Sequence, residues 1–86
     1  MSWDVKIAER AVKQLKRIPE KDAQRLSFIL QSLSQNPYEG DLEKIKGEEN
    51  VWRRRIGNYR IIYEVFPGKK FIFIENVKRR TDTTYN

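Results

Sequence analysis

Cysteine and histidine are both absent from this sequence. Without cysteine there is no disulfide framework, no thiolate metal site and no thiol nucleophile, which fits a reducing compartment. Without histidine the commonest acid–base group near neutral pH and the commonest metal ligand are gone as well. No apolar run approaches the roughly 20 residues that span a bilayer, and the opening "MSWDVKIAER" lacks the basic-then-apolar order of a secretory signal. These absences set the expectation of a cytoplasmic protein without thiolate or imidazole chemistry, and no cofactor is expected of it. Repeats and low-complexity stretches are missing too, so residues 1–86 read as one domain. A domain of this size buries only about 60–65% of the surface its unfolded chain exposes, and its core has to be thin.

What the chain has in excess is positive charge. Its net charge is +6, from 18 Lys and Arg against 12 Asp and Glu. Residues 1–45 carry eight cations and seven anions, while residues 46–86 carry ten and five. The excess therefore belongs to the second half. A basic surface on a small domain suits a nucleic acid or an acidic protein, although a merely solvated face has the same composition.

Hydrophobic spacing divides the chain into six elements. "SWDVKIA" alternates Trp3, Val5 and Ile7 with polar neighbours, as a first strand does. Ala8, Ala11, Val12, Leu15 and Ile18 follow at helical spacing up to Pro19. A second helix is expected from about Glu20 to Gln35 on the stripe Ala23, Leu26, Leu30 and Leu33, and "NPYEGD" breaks it. After a polar connection holding Leu42 and Ile45, "VWRRRI", "YRIIYEVF" and "FIFIENV" read as strands separated by "GN" and "PGKK". The order β-α-α-β-β-β predicts an α+β domain, with a helical hairpin packed on one face of a small, mainly antiparallel, curved sheet.

That sheet contains three consecutive arginines. A two-residue turn at Gly57-Asn58 pairs Arg55 with Arg60, Arg54 with Ile61, Arg53 with Ile62 and Trp52 with Tyr63. A four-residue turn at "PGKK" pairs Phe66 with Phe71, Glu64 with Phe73, Ile62 with Glu75 and Arg60 with Val77. Parity then gathers Arg53, Arg55, Arg60 and Arg79 on the face away from the helices and sends Trp52, Ile56, Tyr59, Ile61 and Tyr63 to the core. Arg54 falls on the core side, which requires either an edge position with its guanidinium reaching out or a bulge near Val51. Ion pairs Arg53–Glu64 and Arg60–Glu75 would neutralise part of the open face, each contributing little. The rest is an unneutralised site suited to phosphate.

"IKGEENVWRRRIGNYRIIYEV", followed after one hairpin by "VKRRTDTTY", resembles the RelE/ParE superfamily of type II toxins. The resemblance covers nearly the whole chain, and its most specific part is "RRIGNYRIIYE". RelE-like members cut mRNA in the ribosomal A site, whereas ParE-like members poison DNA gyrase. The resemblance implies a toxin held by a cognate antitoxin and acting on mRNA and ribosomal RNA, with no membrane partner. A gyrase inhibitor, or a homologue that has lost catalysis and only binds RNA or antitoxin, is the alternative. Carried over residue by residue, Arg60 holds the scissile phosphate, Arg79 or Arg80 assists it, Arg53 and Arg55 stand on the preceding strand, and Tyr85 is the near-terminal catalytic tyrosine. Lys46, Lys78 and Arg80 are candidate RNA contacts.

Cleavage by the RNA's own 2′-hydroxyl requires a proton acceptor, cations around a phosphorane and a proton donor for the 5′-oxygen. Arginine fills only the middle role well, because a guanidinium almost never gives up its proton. Tyr85, Glu48, Glu49 and Lys46 are the candidates for the base. Tyr85 stands first, since surrounding cations pull a phenol's pKa down.

Overall fold

The computed structural model describes residues 3–79. Five strands and two helices follow one another as β1 (Asp4–Ile7), α1 (Glu9–Lys16), α2 (Glu20–Leu33), β2 (Leu42–Lys44), β3 (Val51–Ile56), β4 (Tyr59–Phe66) and β5 (Phe71–Arg79). The sheet order is β1-β5-β4-β3-β2, with β1 parallel to β5 and the other neighbours antiparallel. The α+β class and the helical hairpin on one face agree with the sequence reading. The additional strand is β2, short and polar, which pairs Leu42 with Arg54, Glu43 with Arg53 and Lys44 with Trp52. Three residues with one half-buried apolar position leave too little periodicity to read as a strand.

The two helices turn their apolar stripes onto the sheet because their large residues recur every three to four positions. Ala11 of α1 and Leu26, Leu30 and Leu33 of α2 are buried against Ile61, Tyr63, Val65, Ile72 and Ile74. Each large side chain removed from water there contributes about 1.5–3 kcal/mol. Pro19, which cannot donate to a preceding helix, separates α1 from α2 and stands as the N-cap of α2. Tyr63 is fully buried and donates its hydroxyl to the Pro37 carbonyl at 2.5 Å, and burial pushes its phenol up to about 12. Trp3, Tyr38 and Trp52 close one end of the core edge-to-face, with ring centroids 6.3 and 5.8 Å apart.

The β3–β4 hairpin has the expected register over its whole length, from Val51 opposite Glu64 to Ile56 opposite Tyr59. Gly57 takes φ +57° while Asn58 keeps a negative φ, which matches a II′ turn with glycine at its first central position. The β4–β5 hairpin departs from the expected register halfway. Phe66 faces Phe71, Glu64 faces Phe73 and Tyr63 faces Ile74, but Ile62 then faces Asn76 and Arg60 faces Lys78. Glu75 is the extra residue of a β-bulge.

The bulge occurs where β5 loses its other neighbour. β1 ends at Ile7 opposite Ile74, and the chain turns into α1. From there α1 satisfies the freed edge with side chains, since Arg10 Nε donates to the Glu75 carbonyl at 3.3 Å and Gln14 Oε1 accepts from the Val77 amide at 2.6 Å. Beyond the bulge every residue of β5 changes face.

Candidate functional site

The face of the sheet away from the helices carries the cations in lateral rows. Lys78, Arg60 and Arg55 lie side by side across β5, β4 and β3. The backbone extends that row beyond β2, where the Arg55 amide donates to the Asp41 carbonyl at 3.0 Å. The next row holds Asn76, Ile62, Arg53 and Glu43. Between them an open depression of about 380 Å³ is lined by Asp41, Leu42, Glu43, Arg53, Arg55 and Arg60. Three guanidiniums therefore share one cavity, as parity predicts for Arg53, Arg55 and Arg60.

Arg79 does not join them, and this corrects the parity expectation. The bulge at Glu75 places Arg79 opposite Tyr59 on the helix side, where it lines hollows with Asp22 and Arg25 and with Gln14 and Arg17. Lys78 takes the open-face position that an unbulged strand gives to Arg79. Arg80 and Tyr85 lie outside the described residues. Lys46, Glu48 and Glu49 line a separate hollow on the 44–49 loop and take no part in the arginine depression.

The ion pairs also differ from expectation. Arg53 is held by Glu43, and Arg55 Nε donates to Asp41 Oδ2 at 3.2 Å. Both anions come from the β2 segment, the strand that sequence reading missed. Hydrogen bonding and charge from Arg53 hold the Glu43 carboxyl below the usual carboxylate range. Among the described residues Arg60 forms no ion pair. Glu64 and Glu75 lie further along the open face, where burial, followed by the charge and hydrogen bonding of Glu64, pushes the Glu75 carboxyl up.

Arg54 follows neither expected course. β3 runs regularly from Val51, so there is no bulge, and β2 covers its edge, so the side chain does not reach out at a free margin. Its guanidinium is folded under the loop before β2, against Gly40, and Nη1 is buried without a hydrogen-bond partner among the described residues. A Cβ on Gly40 would stand 2.6 Å from Arg54 Nε, and Gly40 has φ +99°. Glycine thus lets the loop close over an arginine immediately before Asp41. Trp52, Tyr59 and Tyr63 all face the core side, where Tyr59 donates to Asp22 Oδ2 at 2.9 Å. Burial, reinforced by Asp22, pushes the Tyr59 phenol up. No helix among the described residues is long and apolar enough to cross a membrane.

Residues 5–83 match the family model for the ParE toxin of type II toxin–antitoxin systems. The chain is 38% identical over 85 residues to toxin RelE3 of Methanocaldococcus jannaschii, covering 94% of this chain and 96% of that protein. Its fold superimposes on a RelE–RelB complex from Pyrococcus horikoshii with a TM-score of 0.83 at 31% identity, covering 96% of this chain and 100% of the other. A RelB–RelE complex from Methanococcus jannaschii gives 0.71 at 31% identity, covering 85% and 87%. Isolated RelE from E. coli, at 19% identity and a TM-score of 0.80 over 94% of this chain and 87% of the other, shares the fold. Motif order, topology and these likenesses agree: the chain belongs to the ParE toxin family, in the RelE/ParE superfamily, and is a RelE-type toxin of a type II toxin–antitoxin system.

Proposed function

We propose that this toxin is a ribosome-dependent, metal-independent mRNA endonuclease of the cytoplasm, which uses the RNA 2′-hydroxyl as nucleophile and so stops translation. The observation that carries the reading is the single depression into which Arg53, Arg55 and Arg60 all open. A phosphodiester passing to a phosphorane gains negative charge, and preformed guanidiniums stabilise that charge without reorganising. Arg60 has no ion pair among the described residues and lies between Arg55 and Lys78, which makes it the group for the scissile phosphate. Arg53 and Arg55 flank it, each already held in place by a carboxylate. Lys78 takes the assisting role that parity offers Arg79, while Lys46 is a contact for the flanking RNA. Arg80 and Tyr85 enter on the family resemblance alone, Tyr85 as a candidate base.

The natural inhibitor is a cognate antitoxin, as RelB accompanies RelE in the Pyrococcus and Methanococcus complexes. An acidic segment laid over the arginine depression would compete with RNA for the same cations. The second reading, a non-nuclease inhibitor of DNA gyrase, takes its support from the ParE name of the matching family model. It leaves three guanidiniums gathered in one cavity without a purpose.

Primer extension on mRNA from a translating extract, with and without the protein, tests the choice. New 5′ ends within codons at the A site, formed equally in the presence of a metal chelator, are expected. Intact mRNA together with inhibited DNA supercoiling would support the gyrase reading.

A further inference from the structure

The depression holds an additional pair of groups that neither the motif nor the family resemblance assigned. Its polar lining consists of Arg53, Arg55, Arg60, Asp41 and Glu43. Arginine does not accept a proton at working pH, so among the described residues that line this cavity only the two carboxylates can act as a base. Glu43 is taken up by Arg53 and stands in the row of Ile62, one row from Arg60. Asp41 stands in the row of Arg60 itself. Its backbone carbonyl is fixed by the Arg55 amide, its Oδ2 accepts from Arg55 Nε, and Arg54 is wedged beneath the preceding Gly40. Oδ1 has no hydrogen-bond partner among the described residues. At the other end of the same row, outside the lining of the depression itself, is Lys78. The order across the sheet is thus carboxylate, guanidinium, guanidinium, ammonium, over roughly 14 Å of three strand spacings.

The geometry points to Asp41 as the general base of RNA cleavage and to Lys78 as the general acid opposite it. This rests on the endonuclease reading and identifies its proton-transfer groups. In-line displacement at phosphorus places the attacking and leaving oxygens on opposite sides, and a proton acceptor at one end of the row and a donor at the other serve it once the Asp41 and Lys78 side chains converge on the phosphate held by Arg60. The 2′-hydroxyl proton passes to the Asp41 carboxylate as the 2′-oxygen bonds to phosphorus. The P–O5′ bond breaks, and the 5′-oxygen leaves with a proton from Lys78. The products are a 2′,3′-cyclic phosphate and a 5′-hydroxyl, with Arg55 and Arg60 holding the non-bridging oxygens. Asp41 returns its proton to solvent and Lys78 takes one up, so no oxidant, metal or co-reactant enters the balance.

The test measures single-turnover cleavage at saturating programmed ribosomes. Asp41→Asn keeps an oxygen for Arg55 Nε but cannot hold the proton, so the rate should fall by about 10²–10⁴-fold. Ribosome binding should hold steady or tighten, because a negative charge beside the phosphate is lost. The wild-type rate should rise from acid pH and level off, and the variant should lose that rise. Lys78→Ala should be slow on normal RNA and recover on RNA with sulfur in place of the bridging 5′-oxygen, a leaving group that needs no proton. Asp41→Asn should not recover.

An Asp41→Asn protein that cleaves at the wild-type rate overturns the assignment. So does one that is slow with an unchanged pH profile, for Asp41 would then only position Arg55. Loss of the pH rise in Tyr85→Phe, with Asp41→Asn intact, hands the role of base to the tyrosine and also overturns it. If wild-type protein binds ribosomes and leaves mRNA whole, the endonuclease reading itself fails, an outcome distinct from slow cleavage by one variant.

Discussion

Arg60 shows how much a single residue's chemistry depends on its neighbours. It sits between Arg55 and Lys78, two further cations, and the carboxylates that share its depression, Glu43 and Asp41, are already engaged by Arg53 and Arg55. Arg60→Ala is therefore expected to lower cleavage by about 10²-fold or more, by analogy with the loss of one oxyanion donor, while ribosome association falls far less; parallel rate and binding measurements separate the two. Gly40 makes a structural prediction of the same kind. Gly40→Ala places a Cβ against Arg54 at a positive φ and should cost about 1–3 kcal/mol, read as a lower denaturation midpoint. Adding Arg54→Ala should relieve the steric part and leave the backbone part. Sequence reading placed Arg54 correctly on the core side, because parity on β3 is regular. It could not foresee the glycine above it, since contact between residues 40 and 54 arises from a loop closing over a strand and leaves no local pattern.

At the scale of elements, the instructive part is β5. The periodicity of "YRIIYEVF" and "FIFIENV" identified both strands and, up to Tyr63 and Ile74, their register. The shift after that is invisible locally. Glu75-Asn76 has neither glycine nor proline to announce a bulge, and its cause is the end of β1 and the arrival of Arg10 and Gln14, which lie more than sixty residues away in the chain. One unforeseen residue exchanged Arg79 for Lys78 on the cationic face. Asp41 and Glu43 were missed for a related reason, as β2 exists only through its pairing with β3.

The bulge also yields a pH prediction. Burial and Glu64 raise the Glu75 pKa in the folded state, so folding takes up protons there. The stability contributed by this group is complete below the ordinary glutamate range and is lost as pH rises through the raised value. Glu75→Gln, which carries no charge at any pH, should melt above wild type near neutrality and lose that advantage in acid. A thermal-melt series across pH that showed a constant offset would assign the effect to packing instead.

For the molecule as a whole, net charge +6 and the clustering of cations in residues 46–86 predict steering toward polyanions. Ribosome association should weaken steeply with added salt through counterion release, and removing Arg60 or Lys78 should each flatten the slope by about one. A salt-independent affinity would mean that a different surface makes the contact. The basic face itself is made from neighbours in sequence, since β3, β4 and β5 join through two short turns. The parallel pairing of β1 with β5 has the opposite character. Asp4 meets Phe71 and Ile7 meets Ile74, so the first strand waits for almost the last residues of the sheet before it has anything to bind. Contacts of such long range form late and slowly. During synthesis the first strand and the helices emerge with their apolar sides uncovered, and the sheet is complete only once β5 has been made. A chain that lacks β5 therefore holds an unpaired β1 and a separate β2–β3–β4 meander rather than a shortened sheet.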